Sequence, residues 1–181
     1  MKRSIFTILI SGLFVVSGVN AQAIEKFTNP IEMFEEFSDY VQDNNTLKVE
    51  SEKPLKVRLG KSVFKGDSQS VIESQLKRAL IYGVYRPFIH TDVDEITVRA
   101  VALETTINPY SQKLLKSPAY EVRISRENAL KAVKTFLPVV DFDGLLDENG
   151  YWTADFNKLY YDDQGAPGLS VFFDTLSTFS K

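Results

Sequence analysis

The sequence predicts an α+β protein with an antiparallel or mixed sheet and two helices packed against it. Three observations carry this. Several stretches alternate apolar and polar residues with period two. Others repeat apolar residues at helical spacing. Proline, glycine and serine punctuate the joins between them.

The first residues read as a leader to be removed before the fold is considered. Met1-Lys2-Arg3 is basic, and Ile5 to Val16 is mostly apolar. Small residues then fall at alternate positions around Val19-Asn20-Ala21-Gln22-Ala23. Cleavage fits after Ala21 or after Ala23, and Ala23 is preferred. A spanning helix needs about 20 apolar residues, and this run is shorter and broken by Thr7, Ser11 and Gly12. The expectation is a signal peptide over 1–23. A single α+β domain follows over 24–181, with no membrane span after cleavage. Such a chain belongs in the bacterial periplasm or is secreted. It contains no cysteine, so neither a lipid-modified N-terminal Cys nor a disulfide is available. The fold must rest on its apolar core.

Asn29-Pro30 begins the first helix as cap and first helical residue. Ile31, Phe34, Phe37 and Val41 form its apolar stripe, and Asp43-Asn44-Asn45 ends it within the segment 24–45. A strand pair or one bent strand follows, with Leu47 and Val49, then Leu55, Val57 and Leu59, alternating with polar residues. Ser68 or Ser70 caps a second helix that runs to Arg86 and is stopped by Pro87. Ile72, Leu76, Ala79, Leu80 and Gly83 form its inner face. Ile81, Tyr82, Val84 and Tyr85 make its last turns apolar on most sides, so they need cover from the first helix or another subunit. Glu95 to Glu104 reads as a central strand and Thr105 to Ser117 as a long loop. Tyr120, Val122 and Ile124 alternate again. Ser125 caps a third helix ended by Pro138. These elements make up the core, 46–138. In the acidic C-terminal region, 139–181, Tyr151 to Tyr161 suits strand or helix, and Leu169, Val171 and Phe173 suggest a last strand.

In sequence the core elements spell βαββαβ, the ferredoxin-like split βαβ order, with an extra N-terminal helix and an acidic C-terminal extension. The alternative is a curved sheet wrapped on one long helix.

The formal charge is −3, falling to −5 when Lys2 and Arg3 leave with the leader. Its distribution is uneven. Residues 24–45 hold six acids and one base, 46–138 ten acids and sixteen bases, and 139–181 eight acids and two bases. Either the acidic ends cover the basic middle or the middle offers a surface to an anionic partner. A nucleic-acid footprint needs a more basic domain, so no nucleic-acid partner is expected.

Chemistry-bearing motifs are sparse, and no cofactor is expected. One histidine, His90, and no cysteine exclude a His/Cys zinc site within the chain. His90 reads as a packing or capping residue. Asp141, Asp143, Asp147 and Asn149 have cation-ligating oxygens, but Leu145 and Trp152 stand where an EF-hand needs ligands, so the segment reads as an acidic turn. Asp162-Asp163 beside Tyr160 and Tyr161 resembles a sugar surface and also suits a plain turn. There is no G-x-S-x-G, Walker or G-x-G-x-x-G motif. Lys113, Lys116, Arg123, Arg126, Lys131 and Lys134 form a basic patch if their elements share a face.

The resulting expectation is a non-enzymatic binding or assembly module of the envelope, meeting an envelope protein partner or a second copy. Its contact residues would be Ile81, Val84 and Tyr85, or Lys113 and Lys116 in the long loop. A small secreted hydrolase using Asp141, Asp143, Asp162 or Asp163 is one alternative. A carrier with a cavity beside Tyr82, Tyr85 and Phe88 is another.

Overall fold

The structure, a computed structural model, describes residues 24–180. The leader 1–23 and both cleavage positions lie outside the described residues.

Among the described residues a four-stranded open mixed sheet carries five α-helices. The strands are β1 (Leu47–Glu52), β2 (Leu55–Val63), β3 (Glu95–Ile107) and β4 (Tyr110–Ser125), in the spatial order β1-β2-β3-β4. The helices are α1 (Pro30–Glu36), α2 (Gln69–His90), α3 (Arg126–Lys134), α4 (Ala154–Tyr160) and α5 (Leu169–Thr178). β1–β2 and β3–β4 are antiparallel hairpins, and β2 runs parallel to β3. Parallel neighbours require a long crossover, which α2 supplies.

The two hairpins thus flank α2, an order of strand, strand, helix, strand, strand, helix. The ferredoxin-like order expected from sequence differs at both ends. Leu47–Glu52 and Leu55–Val63 are two strands rather than one, and the expected last strand is α5. Gly168, at φ 87°, turns the chain into that helix. Leu169, Phe172, Phe173 and Leu176 are buried at helical spacing, while Val171 points outward. Leu169, Val171 and Phe173 alone fit either period; Leu176 decides for the helix. The stretch Tyr151 to Tyr161 contains α4.

α1 starts as expected, with Asn29 Oδ1 accepting the Ile31 N–H at 2.9 Å, but it stops at Glu36. Ser38 adopts a left-handed φ of 56°, so Val41 lies beyond the helix. Asp43 to Asn45 form a separate turn, where Asn44 Oδ1 accepts the Thr46 N–H.

α2 continues through Pro87 to His90, where the Thr91 hydroxyl donates to the Pro87 carbonyl at 2.7 Å. It lies close against the sheet. A Cβ at Gly83 would fall 2.7 Å from both Leu59 Cδ1 and Val98 Cγ1, so only glycine admits this approach. The rest of α2 is wrapped by α1, α3 and α5. Ile81, Val84 and Tyr85 are fully buried. Tyr85 donates its hydroxyl to the Ala129 carbonyl at 2.9 Å and packs its ring on Phe142, Phe156 and Phe172. The apolar last turns are therefore covered by the chain itself, which corrects the expectation that Ile81, Val84 and Tyr85 form a contact surface.

Thr105 to Ser117 is hairpin, not loop. Ile107 pairs with Tyr110 across Asn108-Pro109, and Thr106 pairs with Ser111. β2 ends at Val63, opposite Glu104, so the hairpin projects past its neighbour. Most of its side chains are wet, and no hydrophobic period arises.

The open face of the sheet is basic. Lys48, Arg58 and Arg99 stand side by side across β1, β2 and β3, with Glu121 next on β4. Among the described residues no helix is long and apolar enough to cross a membrane.

Candidate functional site

The cleft that gathers the most chemistry opens at the C-terminal end of α2, with a volume of about 560 Å³. α2 contributes Tyr82, Arg86 and His90, spaced four residues apart on one side of the helix. Residues 24–25 and the segment around Phe37 and Asp39 form one wall. Leu146 to Trp152 and Tyr160-Tyr161 form the other. A short bridge between Leu146 and Trp152 closes the second wall. Asp147 Oδ1 holds its turn by accepting the N–H groups of Asn149 (2.9 Å) and Tyr151 (3.0 Å).

Arg86 sits at the floor and is only 9% exposed. Its guanidinium lies over Trp152, 4.1 Å from the ring centroid, with Phe37 at 5.3 Å and Tyr82 at 5.8 Å. Nη1 donates to the Gly150 carbonyl at 3.2 Å and lies 3.4 Å from His90 Nε2. Nε is buried without a partner. Nη2 makes no hydrogen bond among the described residues, and the side chain lines the cleft. No carboxylate pairs with this arginine among the described residues. Burial lowers the guanidinium pKa, opposed by Tyr82, Asp39 and Tyr160; an arginine stays charged regardless. A buried, unpaired cation is costly, and this chain keeps one facing a cleft.

Tyr82 repeats the pattern. Its hydroxyl is buried and closes no hydrogen bond of proper geometry, although the Asp39 carboxylate is a neighbour. Burial, with that negative charge, raises the phenol well above its ordinary range. Tyr160 is raised by burial and by Tyr161.

Comparison with protein-family models, curated proteins and solved structures finds no match.

His90 packs as the sequence suggests. Nδ1 bonds the Glu25 carbonyl at 2.8 Å and the ring lies 4.7 Å from Phe37. With Nδ1 as donor, Nε2 is left to accept from Arg86. Burial lowers the imidazole pKa, and Arg86 and Lys26 reinforce this.

The acidic segment 141–150 is engaged in its own turns. Asp141 Oδ1 accepts the Asp143 and Gly144 N–H groups, and Asp143 pairs with Lys26 at 2.9 Å. Among the described residues no cluster of three His, Cys, Asp or Glu side chains is placed to hold a metal. Neither Asp141 nor Asp143 reaches the cleft; Asp162 and Asp163 line a separate depression with Ser74 and Arg78.

The expected basic patch is dispersed. Arg123 pairs with Glu95 at 2.7 Å and Lys131 with Glu127 at 2.6 Å. Arg126 turns inward, donating Nε to the Val93 carbonyl at 2.9 Å and Nη1 to the Phe88 carbonyl at 2.6 Å, with Nη2 on the Thr91 carbonyl. It thus ties off the end of α2. Lys113 and Lys116 remain exposed on β4, beside Ile107, Tyr110 and Leu114 at 75%, 68% and 42% exposure.

Sequence reasoning missed Arg86, Trp152 and Asp39. One signal was present: Arg86 is the only formal charge between Ala79 and His90, a stretch otherwise apolar on every side.

Proposed function

We propose that this chain is a non-enzymatic binding module working outside the cytoplasm, and that its ligand seats in the cleft beside Arg86. The supporting observation is the buried guanidinium, which among the described residues has no carboxylate partner and no hydrogen bond at Nη2. A ligand oxygen anion would supply the charge-assisted, fork-shaped contact for which arginine is suited. Tyr82 and the partly exposed rings of Trp152, Tyr160 and Tyr161 give apolar walls, and the volume falls within the range of small-molecule sites. The carrier alternative is modified rather than dropped. Tyr82 lines the cleft, whereas Tyr85 and Phe88 lie in close-packed core.

Trp152 is the only tryptophan, so its fluorescence reports on the cleft. Titration of the processed protein with small carboxylates should change this emission in wild type and not in Arg86→Met. Identical flat traces from both proteins count against the reading. The proposed export rests on the leader 1–23. Protein recovered from the periplasm or medium should begin at Ile24, or at Gln22 for cleavage after Ala21. Intact leader on cytosolic protein removes that part.

A second reading is favoured by the projecting β3–β4 hairpin. Exposed Ile107, Tyr110 and Leu114, with Lys113 and Lys116 alongside, would suit an envelope protein partner. Lysines and Pro118 on an edge strand also discourage indiscriminate pairing. Cross-linking from a cysteine introduced at Lys116 should capture one discrete partner, and absence of any adduct speaks against it.

A further inference from the structure

The charges of the cleft are divided by depth, and this division restricts what can bind. The inference rests on the proposal that Arg86 receives a ligand. Among the described residues Arg86, at the floor, is the only Lys or Arg lining the cleft, whereas Glu25, Asp39, Asp147 and Glu148 all stand exposed at its rim. The Glu25 and Glu148 carboxylates make no hydrogen bond or ion pair among the described residues, and Asp147 commits only Oδ1 to its turn.

A simple anion approaching Arg86 must pass four carboxylates. A simple cation held by the rim leaves the buried guanidinium unpaired and adds a like charge near it. A molecule carrying both signs satisfies both levels. We infer that the cleft binds a zwitterion of the α-amino-acid class, a free amino acid or short peptide. Its carboxylate reaches Arg86 Nη2 and its ammonium remains among the rim acids. The negative rim steers the ammonium end outward and so fixes orientation as well as affinity. The Tyr160 and Tyr161 walls take apolar parts of the ligand.

The test uses the full chain without its leader, with trialanine and trileucine as probes, each in free, N-acetylated and C-amidated form. Trp152 fluorescence and calorimetry read the binding. At least one free peptide should bind, with each blocked form at least tenfold weaker. Arg86→Met should abolish binding. The surface variant Glu25→Gln/Glu148→Gln should weaken the free peptide several-fold while binding the N-acetylated form no more weakly than wild type does, an effect that loss of folding would not produce. An N-acetylated or C-amidated peptide that binds as well as the free one overturns the zwitterion inference. So does acetate or succinate binding at Arg86 when no peptide binds, although the anion reading then stands. No response to peptides or carboxylates overturns both.

Discussion

The guanidinium of Arg86 lies 4.1 Å from the centroid of Trp152, so a cation on the central helix is stacked on an aromatic ring delivered from the acidic C-terminal region. This contact joins one wall of the cleft to its floor. Stacking of this kind contributes about 1–2 kcal/mol when partly desolvated. Trp152→Leu should lower unfolding stability by about 2 kcal/mol and move the thermal midpoint down by several degrees. An unchanged melt would show that the stack does not hold the wall.

Gly83 marks the closest approach of α2 to the sheet. In a free helix Gly→Ala stabilises by about 1 kcal/mol. Here the new methyl would meet Leu59 and Val98 side chains at 2.7 Å, and overpacking costs about 1–3 kcal/mol. Gly83→Ala should therefore destabilise on balance in chemical denaturation. A more stable variant would contradict the packing described.

Arg126 binds three carbonyls at the end of α2. Hydrogen bonds from a charged donor contribute about 1.5–3 kcal/mol each when well formed, less where water competes. Arg126→Ala should cost about 3 kcal/mol. Arg126→Lys should recover only part of it, because an ammonium lacks the planar fork. Urea midpoints of the two variants check the order, and full rescue by lysine would refute it.

His90 makes stability depend on pH. Its folded pKa lies below the ordinary value because burial, Arg86 and Lys26 disfavour the imidazolium. The unfolded chain then binds more protons, so stability is complete above about pH 6.5 and declines as pH falls through that value. Protonation would also remove the acceptor facing Arg86. Asp143 and the Glu25 carbonyl partly offset the loss. His90→Asn should flatten the decline between pH 7 and pH 5. An equal slope in variant and wild type would assign it to other groups.

The capped starts and the buried helices were legible where the apolar period ran long enough. Ser125 caps α3 as expected, and Ser68, one of the two candidates with Ser70, caps α2; the α+β class follows from the same periods. Short runs misled. Leu169 to Phe173 fits two periods until Leu176 is counted, and the β3–β4 hairpin is invisible because it leaves the cover that creates alternation. Pro87 stops a helix in general, yet here the C-terminal end of the helix is held by Arg126 and Thr91. The cleft was largely illegible because its parts lie far apart in the chain. Arg86 meets Gly150 and Trp152 only through the packing of the C-terminal region, and no local motif encodes that meeting.

The most direct measurement is the unfolding free energy of Arg86→Met, taken with its ligand binding. A side chain retained for binding at the expense of desolvation is dispensable to the fold, since apolar replacement removes a burial cost that offsets the lost Trp152 stack. We expect stability within about 1 kcal/mol of wild type, or above it, together with lost binding in the cleft. A loss of several kcal/mol, with wild type binding nothing there, would make Arg86 a structural clamp and contradict this account.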